Sequence, residues 1–466
     1  MIRIIIGVVL ASFIVVSTIV VLYWRDMNHD PSALDLLLHF AALPVFIALL
    51  VLAPYLIYKW QQHRKQQRDN PESSQQVMQD SESEPAAAVE WIKLHVFSSS
   101  AWSVVGENEQ IPEGIIAYQS PELDPRLLNG YGLPILSYRI KELDEMLETE
   151  EEDYSSPRQR RIQQMMLQQM QQHSDVLWQI SEHLKKSAMF YEGQSAQEYR
   201  MHPAWIDPHA EYQADEDMQP QIQHVSRLNK LKIHVVLTEE LLHLWDQTET
   251  EQLLADYLAE LGLVPQMFHV EHYYWGAETA YKNWLDLLKD IEKEQFTVSY
   301  ILVVDSEIDQ DTIDEKIWIS EQYIPSEYVA SCCLAAPSVQ VDQLDTVKTI
   351  KIAQNEKQLN NSLRQFDFAS DQFTQEQPFV IQLDDLTNIK VVKHLDQQFS
   401  ATQIEPHHYL YTKPSVGQTE HLAKIYGFLL GLQLPEQLTV LVYQMDHPQV
   451  HSFIQPYQPE QTQEPV

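Results

Sequence analysis

The sequence predicts an α/β fold with a mixed or largely parallel sheet, carried behind two N-terminal membrane-crossing helices. Three observations predict it. Strand-like and helix-like apolar periods alternate from Lys230 to Tyr443. Two apolar runs long enough to cross a bilayer open the chain. A polar stretch then separates those runs from the first strand pattern.

The first run, Ile4 to Tyr23, holds 20 residues without a charge. Val20-Val-Leu-Tyr-Trp-Arg25 offers no small-residue cleavage site, so the run reads as an anchor and not as a removable signal. The second run, Leu36 to Tyr58, contains Pro44 and Pro54, which membrane helices tolerate. Trp24, Tyr55, Tyr58 and Trp60 stand where interfacial aromatics belong. Lys59, Arg64, Lys65 and Arg68 follow the second run and mark a cytoplasmic flank. Residues 1–60 are thus expected as a two-helix anchor in an inner membrane, with the large domain on its cytoplasmic side. Residues 61–90, rich in Gln, Ser and Glu, are expected as a flexible tether.

Trp91 to Phe97 alternates as a strand does. Glu148 to His173 is polar, and its Gln-rich run, Gln163 to Gln172, is built of good helix formers. It is expected as an exposed amphipathic helix within an insertion near 148–229. Leu231 to Leu237 reads as a strand. Thr248 to Leu261 reads as a helix, with Thr248 as N-cap and Gly262 just past its end. Phe268 to Tyr274 is the next strand, Ala277 to Lys293 the next helix and Val298 to Val304 the next strand. Glu327 to Ala336 reads as a buried strand, Glu356 to Phe366 as a helix and Phe379 to Leu383 as a strand. Thr419 to Leu432 is an apolar helix, and Leu438 to Tyr443 is the last strand.

The formal net charge is -36. The first 68 residues carry six Lys and Arg against Asp26, Asp30 and Asp35, or +3, so the remainder carries -36 - 3 = -39. A field of that sign repels phosphate backbones, which excludes nucleic acid as an expected partner and favours a basic protein. Cys332 and Cys333 are adjacent and cannot build a disulfide framework; both are expected as buried apolar residues. No phosphate-binding Gly-rich loop and no Gly-x-Ser-x-Gly elbow is present. His269-Val-Glu-His272 has metal-like spacing, but positions three apart on a strand point to opposite faces. His202, His209, His407 and His408 fall in loops without a ligand pattern. Neither a metal nor a cofactor is expected.

The segment Lys413-Pro-Ser-Val-Gly-Gln-Thr-Glu-His-Leu-Ala-Lys-Ile-Tyr-Gly-Phe-Leu-Leu-Gly-Leu432 resembles the late motif of β-ketoacyl synthases in the thiolase-like superfamily. Lys413, Gly417, Thr419 and Glu420 match, while Gln418 stands where that family has a catalytic His. Trp275-Gly-Ala-Glu-Thr279 falls where the family carries its catalytic Cys, and Gly276 and Ala277 hold that place here. Phe379 to Asp385 falls at the family's other His motif and has none. The resemblance implies two related halves, expected at 91–325 and 326–456, with a loose tail at 457–466. It also implies a catalytically empty site, because condensation needs a thiolate and imidazoles.

A membrane-tethered, catalytically empty thiolase-like domain further resembles the adapters that load lipase effectors onto the spike of the bacterial type VI secretion machine. That resemblance implies an effector and a spike protein as partners, and no catalytic residues. The alternatives are a membrane-associated enzyme acting on acyl chains, and a sensor or structural membrane protein.

The charge flank predicts that the C-terminus faces the cytoplasm. A C-terminal phosphatase reporter should be inactive and a C-terminal fluorescent reporter bright; the reverse pattern would overturn the topology.

Overall fold

The computed structural model describes residue 25 and residues 89–147, 156–196, 225–317, 323–356, 358–365, 381–383, 389–400, 404–412, 421–444 and 446–459. Both apolar runs lie outside them, as does the tether up to residue 88. No helix among the described residues is long and apolar enough to cross a membrane. Residues 87–466 form one compact unit.

Near-continuous apolar runs make the strands that lie inside a sheet, because both of their faces are covered. β8 (Glu327–Ala335) is buried at all nine residues. β7 (Thr297–Ser306) and β5 (Lys230–Thr238) are nearly as enclosed. Successive residues of these strands feed opposite cores, so Cys332 faces one and Cys333 the other. Both thiols are fully enclosed, and burial pushes both well above the ordinary cysteine range.

The remaining strands of the sheet are β1 (Glu90–Ser103), the short β2 (Gly106–Glu107), β6 (Phe268–Trp275), β9 (Lys348–Gln354), β10 (Ile381–Leu383), β11 (Tyr409–Tyr411), β12 (Val440–Tyr443) and β13 (His451–Pro456). A separate hairpin pairs β3 (Glu122–Leu128) with β4 (Pro134–Ser137). The main sheet runs β11-β10-β12-β13-β9-β1-β8-β7-β5-β6, with β2 beside β1.

This order contains a repeat. In chain order, the first unit is β1, β5, β6, β7 and β8, and the second is β9, β10, β11, β12 and β13. Each unit's third strand lies parallel to its second, and the second parallel to the fourth. In each, the fifth strand lies antiparallel between the fourth and the first. The two first strands, β1 and β9, join the units antiparallel from Glu90↔Gln354 to Val96↔Lys348. The sheet is therefore mixed, and its two units repeat one pairing order. By strand pairing, the first half runs to Ala335, because β8 lies between β7 and β1.

The helices repeat as well. α1 (Gln110–Ile116) and α2 (Lys141–Leu147) are short and precede α3 (Pro157–Gln172) and α4 (Ser174–Ala196), which connect β1 to β5. α5 (Gln247–Glu260) connects β5 to β6, α6 (Ala280–Lys293) connects β6 to β7, and α7 (Gln310–Lys316) follows β7. In the second half, α8 (Leu359–Gln365), α9 (Ile389–Phe399) and α10 (Ala423–Leu430) occupy the places of α3 and α4, α5 and α6. α6 and α10 share one core with residues of both halves. α3, α4 and α5 cover the opposite face of the first half, and α8 and α9 that of the second.

Two expectations change. The Gln-rich helix is not an exposed insertion: Arg158, Gln159, Arg161, Gln163 and Gln169 of α3 are buried beside its methionines. Arg158, Arg161 and Gln169 find buried partners on the sheet in Asp305, Glu327 and Ser331, which a polarity count misses. The N-cap of α5 is Asp246, whose carboxylate accepts from Glu249 N at 3.0 Å, and not Thr248. Gly262 does end α5, with φ of 82° and Leu263 N donating to Leu258 O at 2.9 Å.

Because one core draws side chains from both halves, urea unfolding should give one transition by circular dichroism and by tryptophan fluorescence. Leu94→Ala, at the join, should move it by about 3 kcal/mol. Two separable transitions would refute the shared core.

Candidate functional site

In α/β sheets, ligands are met at the carboxyl ends of parallel strands, where loops converge. Here the ends of β5, β6 and β7 meet the start of α10. β5 ends at Thr238, whose hydroxyl accepts from Glu240 N at 3.2 Å and turns the chain into a short 3-10 segment carrying Glu239 and Glu240. β6 ends at Trp275 and passes through Gly276 and Ala277 into α6. β7 ends at Asp305 and Ser306, followed by Glu307.

α6 and α10 are repeat equivalents, and their N-terminal approaches meet. Ala277 N donates to His421 Nδ1 at 3.2 Å. Farther along the helices, the Trp284 and Phe428 rings pack at 5.5 Å. Two helix N-termini bring two positive dipole ends together, so acidic groups are favoured there. Glu240 Oε1 lies 3.3 Å from His421 Nε2, and the Glu239 carboxylate fills the place where a Cβ on Gly276 would stand. Glycine at 276 is what admits that carboxylate.

The hydrogen-bond pattern assigns the His421 proton to Nε2, because Nδ1 accepts from Ala277. The Glu240 hydrogen bond raises the His421 pKa against the opposing effect of burial. Behind His421 the charges continue inward. Lys316 Nζ lies 3.0 Å from Glu240 Oε1 and also pairs with Glu307. Arg158 reaches Glu240 at 3.2 Å and Asp305 at 3.0 Å. Burial pushes the Glu240 carboxyl up, but the His421 hydrogen bond and the Lys316 and Arg158 charges outweigh it and hold it well below the ordinary range. Burial pushes Glu307 up more than Lys316 pulls it down.

A neighbouring group continues the network. Arg161 grips the fully buried Glu327 with two of its nitrogens, at 2.6 and 2.7 Å, and pairs with Asp144. Ser306 Oγ and Ile140 N also donate to Glu327.

Of the residues singled out from the sequence, Gly276 and Ala277 lie in this site. Lys413, Gly417, Gln418, Thr419 and Glu420 lie outside the described residues, as do His202 and His209. His421, one residue beyond the matched positions, is not among those singled out, although it sits in the same segment. Glu240, Lys316, Arg158 and Asp305 carry no sequence signal, since their partners are distant in the chain. His272 is nearly enclosed while His269 is largely exposed, and no group of three or more His, Cys, Asp or Glu among the described residues is placed to hold a metal. The His407 and His408 rings lie tilted to each other with centroids 3.9 Å apart.

No protein-family model matches the chain, and no curated protein matches it. Among solved structures, the chain is similar to a single-residue variant of OleA from Xanthomonas campestris. The identity is 8%, the match covers 78% of this chain and 98% of that one, and the TM-score is 0.32. ChlB3, an acyltransferase, matches at 9% identity over 50% of this chain and 79% of its own, with a TM-score of 0.29. The 3-oxoacyl-(acyl carrier protein) synthase III, FabH, of Xanthomonas oryzae pv. oryzae matches at 10% identity over 49% and 76%, with a TM-score of 0.26.

The depressed Glu240 carboxyl gives a signed pH effect. Its contribution to stability is complete above about 4.5, the ordinary value of a glutamate, and drains as the pH falls from there toward the depressed folded value. Glu240→Gln should therefore cost stability at pH 7, by roughly 2 kcal/mol for a partly buried multiple ion pair. The gap between variant and parent in denaturant midpoints should narrow from pH 5 to pH 3. A gap independent of pH would show that the charge is not what matters.

Proposed function

We propose that this chain is a membrane-tethered, non-catalytic scaffold that binds a protein and directs it to an envelope machine. In the terms of the adapter resemblance, the bound protein is a lipase effector and the machine is the type VI secretion spike. One observation carries the non-catalytic part. Where a condensing enzyme needs a nucleophile and an open oxyanion donor, this chain has Gly276 and Ala277, and the Ala277 N–H is engaged by His421. The Glu239 carboxylate lies over Gly276, so an acyl carbonyl brought there would meet negative charge instead of a hydrogen-bond donor. The two thiols are fully enclosed and kept protonated by burial, so neither replaces the missing nucleophile.

The binding part is supported by charge. About -39 after Arg68 steers a basic partner toward the tethered domain and makes the association salt-sensitive. A tether of some 30 residues reaches roughly 30 Å as a flexible coil, which suits capture close to a membrane.

A second reading, an enzyme acting on acyl chains, is favoured by His421 beside Glu240, an imidazole–carboxylate pair of the kind used for proton transfer. One experiment separates the readings. The full chain in detergent micelles is incubated with acyl-coenzyme A and with acylated carrier protein, and its intact mass is measured while product is followed. The scaffold reading expects no covalent adduct and no turnover, together with salt-sensitive capture of effector or spike protein in a pull-down. Turnover that Glu240→Gln or His421→Ala abolishes would establish the enzyme instead, and capture of neither protein would remove the adapter.

A further inference from the structure

The join between the halves leaves a gap in the sheet. β9 begins at Lys348, opposite Val96, whose carbonyl accepts from Val347 N at 2.9 Å. On the same side of β1, the next strand is β2, which pairs only with Trp102 and Ser103. Asn108 serves Ala101, receiving its N–H at 2.9 Å on Oδ1 and donating its own N–H to the Ala101 carbonyl at 2.9 Å. Between these two closures, Phe97 to Ser100 have no strand beside them on that side among the described residues. A cleft of about 610 Å³ occupies this place, and Phe97, Ser98 and Ser99 line it.

The rest of the cleft has a consistent chemistry. Glu107, Glu109 and Glu436 bring three carboxylates, of which Glu109 and Glu436 are exposed. Gln433 is 5% exposed, and its amide nitrogen has no hydrogen-bond partner. Lys348 Nζ donates to Leu432 O and Leu434 O, which leaves one of its three N–H groups. The cleft thus has at its floor a stretch of β1 with no strand beside it among the described residues, and carboxylates at its rim.

We propose that this cleft receives an extended basic peptide segment, added as a short strand beside Phe97–Ser100. Its main chain pairs with that of Phe97–Ser100, and its Lys or Arg side chains meet Glu107, Glu109 and Glu436. Addition of a strand to an open sheet edge is a general mode of peptide capture, with main-chain bonds giving affinity and alternate side chains giving selectivity. Carboxylates at the rim choose a cationic segment and disfavour an acidic one. The occupant is argued from this charge complementarity, and it rests on the scaffold reading above, for which it names the form of the bound segment.

The test uses the full chain in detergent micelles and labelled, end-blocked hexapeptides followed by fluorescence anisotropy. One alternates lysine and valine, a second alternates glutamate and valine, and a third is the lysine–valine peptide with an N-methylated backbone. The expected result is saturable binding of the first alone, weakened roughly tenfold by N-methylation, by the triple variant E107Q/E109Q/E436Q and by raised salt. The three glutamates carry no core packing, and a melting curve checks that the variant stays folded. Equal binding of the acidic peptide, indifference to N-methylation, competition by free lysine amide as strong as by the peptide, or no binding at all would each overturn the proposal. If the peptide fails while effector capture in the pull-down persists, only this inference falls. If the peptide binds while effector and spike protein are not captured, the adapter reading falls and the cleft stands.

Discussion

Strand β1 is hydrogen-bonded to β8 along its second part and to β9 along its first, so one strand closes the first half and attaches the second. Antiparallel pairing of two equivalent strands imposes an approximate two-fold relation on everything attached to them. Equivalent helices must then approach each other across the join, and α6 and α10 do so in one core. Register is held where Ile92 and Leu94 meet Ile352 and Ile350, all fully buried, because a slip of one residue would turn them to the other face. The placement of Ala277 against His421 is a consequence of that register and needs no interaction of its own to explain it.

Bringing two helix N-termini together has an electrostatic cost, and the acidic ends of β5 and β7 offset it. Glu240 is drawn in by both the helix ends and the cations behind it. Arg158 and Lys316 in turn set counter-charges against the buried Asp305 and Glu307. Such buried networks add little net stability compared with an apolar core, but breaking one member leaves the others unpaired. They therefore define one geometry. Arg158 and Arg161 also pin α3 onto the ends of β7 and β8.

How far this architecture is legible in the sequence depends on the range of the interactions involved. β5, β7 and β8 are readable because burial on both faces leaves a local apolar run, and α6 because its apolar positions recur at helical spacing. β9, in which Lys348 and Lys351 interrupt the apolar pattern, and the three-residue β11 leave too little signal. α3 misleads because its arginines are paired with Asp305 and Glu327, 147 and 166 positions away. The site is legible only at Gly276 and Ala277, through a family motif. His421 stands just past the matched positions of the later motif but acquires meaning only when the fold sets it against Glu240.

The repeat is also uneven, and the unevenness bears on function. In the first half, the ends of the second and fourth strands carry Glu239, Glu240, Asp305 and Glu307; the fourth strand of the second half ends in Tyr443 and the buried Gln444. The charge at these first-half strand ends is met internally by Arg158, Lys316 and His421. The pairing there is incomplete, since Arg158 Nε and Glu307 Oε2 are buried without a hydrogen-bond partner among the described residues. The cleft beside β1 holds another such atom, the buried Gln433 amide nitrogen. What separates the two places is charge: in the corner cations face the carboxylates, whereas at the cleft Glu107, Glu109 and Glu436 stand around Lys348, whose ammonium is given to backbone carbonyls, and the proposed capture of a basic segment rests on that imbalance.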